Sequence, residues 1–440
     1  MTESKEELTE AERRLKFSKF LLIQSLIIGL LFAADQFFSF FEQNFFNTYL
    51  KHVLFLPDIY VSIMVSLSSV MGLIFCLVWG IKSDNTRSKW GRRRPYLLIG
   101  GTVSGVAMIL YALSPNYWWA LFFDVLIIGV ASNMYFAAER ALIPDTVEPS
   151  LRGRANGIIT IFGNIGILFA LIAFLLSYEL FAIPNPSGSG TILTQEGHLF
   201  VLSMGGVFFL LCGIVGFAFI REIPNSEMPP KNKFSEELKE FFDLEEMKKQ
   251  KEFFKIVGSY IIFKTGVTTV LTFLFIYLFW LGLTTLELFT AIGIAFIVLI
   301  FSTLTMGTLS DKFGRKKFVP LFIIIASFGF FLIPFAKLTE TSPVNLLIFI
   351  IAIPFVVIGI LGLPAPLDAW SQDLLPADKR GKFLGIYNLM WVVSQIIGSF
   401  IGGIIATFYG YPFIFFAGGF FMLLSIPFFI RVKETLKIEK

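Results

Sequence analysis

A chain of 440 residues in which 55% are hydrophobic and only 15% charged is not a soluble globular protein, where charged residues run at about 25%. Its mean hydropathy of +0.76 and its 54 phenylalanines exclude an ordinary water-facing surface. A formal net charge of +4 gives no reason to expect a nucleic-acid partner, because the cations sit where membrane topology puts them.

Apolar runs of roughly 18 or more residues can cross a hydrocarbon core about 30 Å thick. In chain order they fall at 20–49, 58–81, 95–114, 117–141, 155–181, 198–220, 253–280, 286–309, 317–337, 344–366, 383–409 and 411–431. Lipid offers no hydrogen bonds, so each run must satisfy its own backbone as a helix. The expected fold class is all-α integral membrane, with twelve transmembrane helices. Ahead of the first run, MTESKEELTEAERRLKFSK is mixed in charge and reads as a cytoplasmic lead-in, without a cleavable signal. Cys76 and Cys212 fall inside helices and read as packed thiols.

The basic residues alternate from loop to loop. Lys51 and Lys337 lie in the loops of one side and Lys264 lies within a helix, whereas the clusters crowd the other side, the N-terminal lead-in and the 221–252 segment. The positive-inside bias predicts that both termini are cytoplasmic. Within 221–252, Phe234, Leu238, Phe241 and Phe242 recur at helical spacing among charges, predicting an amphipathic helix on the inner membrane surface.

The loop after the second helix, SDNTRSKWGRRRPY from Ser83 to Tyr96, has an echo. GIKSDNTRSKWGRRR from Gly80 and GTLSDKFGRKK from Gly307 share a glycine, a following aspartate and then Gly-Arg with more cations. DTVEPSLRG from Asp145 matches DLLPADKRG from Asp373, and Tyr49-Leu50 matches Tyr277-Leu278 at the same offset. The chain therefore divides into two six-helix halves of the same orientation, 1–220 and 253–440, joined by the linker 221–252. Such a repeat is the mark of a two-bundle transporter with its site between the halves.

These loop motifs resemble those of the major facilitator superfamily. The longer SDNTRSKWGRRRPY loop and SNMYFAAERALIPD, from Ser132 to Asp145, look like the sucrose–proton symporters and the glycoside–pentoside–hexuronide cation symporters. The resemblance implies two pseudo-symmetric six-helix bundles and alternating access. It also implies that Asp84 with Arg92, Arg93 and Arg94, and Asp311 with Arg315, gate the cytoplasmic ends, with Asp145, Arg152, Asp373 and Arg380 in the matching second motif. Arg140 falls on the symporter arginine associated with sugar recognition, but Gly129 stands where those symporters carry a proton-coupling aspartate.

Ionisable groups deep in helices are costly and default to functional candidates. On the first helix Asp35, Ser39, Glu42 and Phe46 share a face, flanked by Gln36, Gln43 and Asn47. On the seventh, Lys264, Thr268, Thr272 and Phe275 form a comparable stripe, and the repeat maps Gln36 onto Lys264. We expect Asp35 and Lys264 to approach each other across a central cavity and to exchange partners with substrate or proton. Helix four adds Asp124, Asn133, Glu139 and Arg140; Asp124 joins Asp35 and Lys264 as a coupling candidate, although by spacing it lies one and a half turns from Gly129 and on a different face. Helix eleven adds Asn388, Trp391 and Gln395, amides for sugar hydroxyls and an indole for a pyranose face.

The function the resemblance implies is secondary transport of a sugar or glycoside, coupled to protons rather than sodium because helix two lacks the interior acid that the similar sodium-coupled melibiose symporters carry. An exporter or a lysolipid carrier of the same fold is the alternative. A membrane-embedded enzyme is disfavoured: His52 and His198 are far apart, and no nucleophile–base set or metal spacing accompanies them. No cofactor is expected; the partners are a small-molecule substrate and membrane lipid, and the protein is expected to be a monomer in the plasma membrane.

Overall fold

The computed structural model describes residues 19–148, 151–222, 250–375 and 380–436, with the backbone alone for 380–389. The proposed linker helix around Phe234–Phe242, and the side chains of Arg380 and Asn388, lie outside the described residues. The membrane helices are α1 (Lys19–His52), α2 (Asp58–Asn85), α3 (Arg94–Tyr111), α4 (Tyr117–Thr146), α5 (Arg152–Phe181), α6 (Gln195–Phe219), α7 (Lys251–Leu281), α8 (Thr285–Phe313), α9 (Arg315–Ala336), α10 (Leu346–Asp373), α11 (Arg380–Tyr409) and α12 (Pro412–Phe429). Among the described residues eleven are long and apolar enough to span a membrane, and α3, at 18 residues with an arginine at its first position, is the shortest addition to them.

Local chemistry sets the boundaries. Asn116 caps α4 by accepting from the Trp118 and Trp119 amides, and those two indoles, 73% and 50% exposed, suit a membrane–water interface. Thr284 and Glu287 form a reciprocal capping box at the start of α8. Three departures from regular helix were not foreseen. α4 is π-helical over Phe122–Ile128, α10 over Ile358–Gly362, and α7 is interrupted at Thr272–Phe273. Each shifts the face on which later side chains emerge.

Packing divides the chain into two compact units that do not coincide with the sequence halves. One takes the described residues of 1–43, 74–174 and 198–234, the other those of 44–73, 175–197 and 235–440. In the first unit α3 lies against α4 and α6 through small residues: a Cβ on Gly105 would meet the Gly206 carbonyl oxygen at 2.3 Å, and one on Gly100 would meet Ala131 O at 2.7 Å. Phe209 of α6 stacks on Phe38 and packs at a tilt against Tyr135, with ring centres 4.2 Å apart in each pair.

The second unit joins segments of both sequence halves on the side opposite the motif loops. Asn47 donates to Thr272 O (3.0 Å) and Ser62 to Ser399 O (2.6 Å). Lys51 pairs with Asp58 (3.0 Å), which also accepts from the Tyr411 hydroxyl (3.0 Å). A short hairpin of β1 (Ala182–Pro184) and β2 (Thr191–Leu193) lies against the end of α7. Its Gly190, at φ +84°, is so close that a Cβ would stand 2.3 Å from Phe279 O. Lys337 donates to Ser189 Oγ and to Trp280 O (2.9 Å), while Glu340 accepts from Ser189 N (2.8 Å) and the Trp280 indole (2.7 Å). His52, the last residue of α1, is buried and accepts the Leu193 amide through Nδ1 at 3.2 Å.

Candidate functional site

In the first unit, Asp35 on α1 is buried and accepts from Ser39 Oγ at 2.9 Å, the two being one turn apart. Its charged neighbours are the Arg140 guanidinium and the Glu139 carboxyl, both from α4. Glu139 is fully buried, and apart from the adjoining Asp35 carboxyl its oxygens have no hydrogen-bond partner among the described residues. Arg140 is exposed, its guanidinium 5.7 Å from the Phe136 ring centre. Half-buried Glu42 has Asp124 and Asp35 as its nearest like charges. One arginine thus stands beside a group of four membrane-embedded carboxyls.

Asp124 sits inside the π-helical stretch of α4, with Glu42 of α1 as a neighbouring like charge. Glu139, named with the other ionisable groups of helix four, receives no substrate or coupling role from the sequence; burial beside Asp35 is what singles it out. Asn133 spends its amide donor on Gly129 O, within its own helix, at 2.8 Å. Gln36 is half-buried beside Gly163 of α5.

In the second unit, the Lys264 ammonium of α7 lies 4.2 Å from the ring centre of Trp391 on α11 and 6.0 Å from that of Tyr260. Its nearest opposite charge is Asp368 on α10, whose Oδ1 accepts the Tyr260 hydroxyl at 3.4 Å. Gln395 lies one turn after Trp391 and is half-buried. The remainder of the α7 stripe serves the fold: Thr268 donates to Ser394 O (2.8 Å), and Thr272 to Thr268 O (2.9 Å). Asp368 was missed because the tenth apolar run ends before it, whereas α10 continues to Asp373.

The motif loops are ordered by one carboxylate each. In the first unit Glu222 accepts from the amides of Arg92, Arg93 (2.9 Å) and Arg94 (2.8 Å), capping α3, whose first turn has unmatched N–H groups. Gly91, at φ +105°, is obligatory there, since a Cβ would lie 2.8 Å from the Glu222 carboxylate. Arg93 reaches Asp84, Ser83 and Asp145, and Arg92 also reaches Asp145. Arg94 does not join Asp84: it turns to Phe217, donating to its carbonyl and lying 5.1 Å over its ring. Arg152 donates to Val147 O and Pro144 O, closing the end of α4 instead of meeting a carboxylate.

The second unit repeats the plan. Arg315 meets Asp311 (3.2 Å) and Asp373, and Glu434 accepts Lys316 N at 2.8 Å beside Gly314 at φ +83°. Glu222 and Glu434 were missed by motif spacing, yet each is an acid soon after the sixth helix of its half, which is a legible signal once the repeat is known.

The family model described as Major Facilitator Superfamily matches residues 25–391 and 348–440. The chain belongs to the major facilitator superfamily. Of its curated relatives in that superfamily, the multi-drug resistance efflux pump PmrA of Streptococcus pneumoniae is 22% identical over 87% of this chain and 88% of its own. The sucrose transport protein SUC3 of Arabidopsis thaliana is 27% identical over 37% of this chain and 31% of its own. Among solved structures, the nucleoside transporter NupG covers 93% of this chain and 99% of its own with a TM-score of 0.72 at 14% identity. The D-xylose–proton symporter covers 96% and 100%, with a TM-score of 0.68 at 15% identity. These likenesses establish an integral multi-pass membrane transporter fold.

Proposed function

We propose that this transporter moves a sugar or glycoside across the membrane by alternating access, with proton coupling, as a monomer in the plasma membrane with both termini cytoplasmic. The observation that carries the coupling is the Asp35–Glu139 pair: two buried carboxyls side by side, Glu139 having no other hydrogen-bond partner among the described residues, next to a single arginine. Such a pair suits the uptake and release of one proton, because two like charges in a dry site cost more than one. The sugar reading is supported by the resemblance of SNMYFAAERALIPD to the sucrose symporters and by the similarity to SUC3. The approach of Asp35 to Lys264 during the cycle, the gating roles of the Arg93 and Arg315 ion-pair networks and the absence of enzymatic activity are parts of the same proposal.

A second reading, export, is favoured by one observation: the similarity to PmrA extends along 87% of the chain. Uptake of a labelled mono- and disaccharide panel into proteoliposomes, with and without an inward proton gradient, separates the readings. Gradient-driven accumulation of a sugar supports symport; no sugar movement in either condition overturns the sugar reading and leaves export to be tested with drug substrates.

A further inference from the structure

The hairpin of the second unit is fastened at its base by an acceptor that one proton can remove. Thr194 N donates across the ribbon to Phe181 O (3.3 Å), so the neighbouring Leu193 N–H points away from β1. It is buried there and needs an acceptor from outside the ribbon. His52, the last residue of α1, supplies Nδ1 at 3.2 Å. A backbone N–H can only donate, so Nδ1 carries no proton and the imidazole is neutral. The ring is 6% exposed and stands edge-on to Phe279 of α7, with ring centres 4.7 Å apart, which leaves it little room to turn.

The tip of the hairpin is held by different chemistry. Gly190 and Gly282, both at positive φ, let two backbones meet, and a Cβ on Gly282 would lie 2.8 Å from Gly190 Cα. From the loop between α9 and α10, Glu340 accepts from Ser189 N and Lys337 donates to Ser189 Oγ. The other titratable groups at this end have tasks of their own. Lys51 of α1 pairs with Asp58 of α2, which also accepts from the Tyr411 hydroxyl ahead of α12. Tyr178 of α5 donates to Leu283 O (2.6 Å), and Tyr277 of α7 donates to Ile333 O (3.4 Å). α6 opens with exposed Glu196 and buried His198, and no residue from Ala182 to Thr194 is titratable. An imidazole is the side chain that changes charge between about pH 5 and 8 without special tuning. At His52 that change falls on the atom that holds Leu193.

We propose that His52 is a proton-responsive latch: neutral, it fastens β2 to the end of α1, and protonated, it lets β2 go. The proton comes from solvent and adds to Nδ1, so the acceptor becomes a donor and only the hydrogen bond to Leu193 is broken. Two N–H groups then face each other in a buried place, each without the acceptor it needs. The new positive charge also follows Lys51 in sequence and is costly away from water. Ring or strand must move, and in either case the Leu193 amide loses its partner. Acid therefore loosens the hairpin base while Glu340 and Lys337 still hold the tip. This goes beyond the sugar reading and uses neither a substrate nor the Asp35–Glu139 pair, so it stands or falls independently of the liposome panel.

Hydrogen–deuterium exchange of the purified full-length protein reads this amide directly. Labelling is done at about pH 8 and about pH 5, the span over which an imidazole changes charge, with times scaled to the intrinsic exchange rate at each pH. Peptides covering 182–194 are compared with peptides from the first part of α7, Lys251–Leu271. The expected result is a loss of protection of about tenfold at Leu193 in acid, the size of one buried hydrogen bond, with α7 unchanged. His52→Asn, whose amide oxygen takes the place of Nδ1 and does not titrate, should keep the protection at both pH values. His52→Phe, which keeps a ring against Phe279 and offers no acceptor, should lose it at both. The deciding comparison is made on the wild type, so it does not depend on a variant folding. Equal protection at the two pH values in the wild type overturns the proposal. So does an acid response that spreads to α7 or persists in His52→Asn, and so does full protection in His52→Phe.

Discussion

Replacing Arg93 by alanine tests the reading of the motif loop most simply. The Arg93 side chain is 3% exposed and lies between Asp145, at 20% exposure, and Asp84, at 52%. The largely buried contact to Asp145 is worth about 1.5–3 kcal/mol as a charge-assisted hydrogen bond, and the half-exposed contact to Asp84 only about 0.5 kcal/mol after solvent screening. Arg92 also contacts Asp145, so that carboxylate is not left alone and the loss stays near the lower end. The expected cost of Arg93→Ala is about 2 kcal/mol, roughly a 30-fold fall in the folded-to-unfolded ratio. It is measured by mixed-micelle denaturation of the purified protein against Lys89→Ala, an exposed cation of the same loop. Arg315→Ala should cost less, because Asp373 and Asp311 are 33% and 59% exposed. A loss for Arg93→Ala indistinguishable from that of Lys89→Ala would refute the assignment of Arg93 as the centre of this network.

Gly91→Ala should destabilise by about 1–3 kcal/mol, the range for a strained backbone, and Glu222→Ala should produce a similar loss, since both act on the α3 cap; the double variant should then cost less than the sum. Gly403→Val should loosen the contact of α11 with α2, because even a Cβ there would stand 2.1 Å from Ser62 Oγ; cysteines placed beside Ser62 should become more reactive to an impermeant thiol reagent, and unchanged labelling would count against the tightness of that contact. Lys337 carries a pH signature. Burial holds its ammonium below the ordinary lysine range, with Glu340 opposing, so the unfolded chain binds more protons between the folded value and about 10.4, and stability should rise with pH across that window. Lys337→Met should flatten that rise in a pH series of thermal melts, and an unchanged slope would remove Lys337 as its source.

Much of this architecture is written in the sequence, because lipid tolerates few solutions. Apolar runs longer than the bilayer is thick had to be helices, and the duplicated Gly–Asp–Gly-Arg loops exposed the two halves. Asp84 with Arg93 and Asp311 with Arg315 could be foreseen because the duplicated loops resemble the superfamily motif, in which such an aspartate pairs with arginine. Glu222, Glu434 and Asp368 could not, since their roles come from chain segments brought together only by packing. Arg94 illustrates a finer limit: it is one residue beyond Arg93, and a helix start turns adjacent side chains to different faces, so a run of three arginines does not act as one. The division of α1 between two packing units likewise has no signature in hydropathy, which reports lipid contact and not which neighbour a helix end prefers.

The central claim is that the buried Asp35–Glu139 pair couples proton movement to sugar movement. Its most direct test is accumulation of a transported sugar in proteoliposomes under an inward proton gradient, compared with sugar exchange at equilibrium, in wild type and in Glu139→Gln. The account predicts that wild type accumulates sugar and that Glu139→Gln still exchanges it but no longer concentrates it. Gradient-driven accumulation that persists in Glu139→Gln would contradict it.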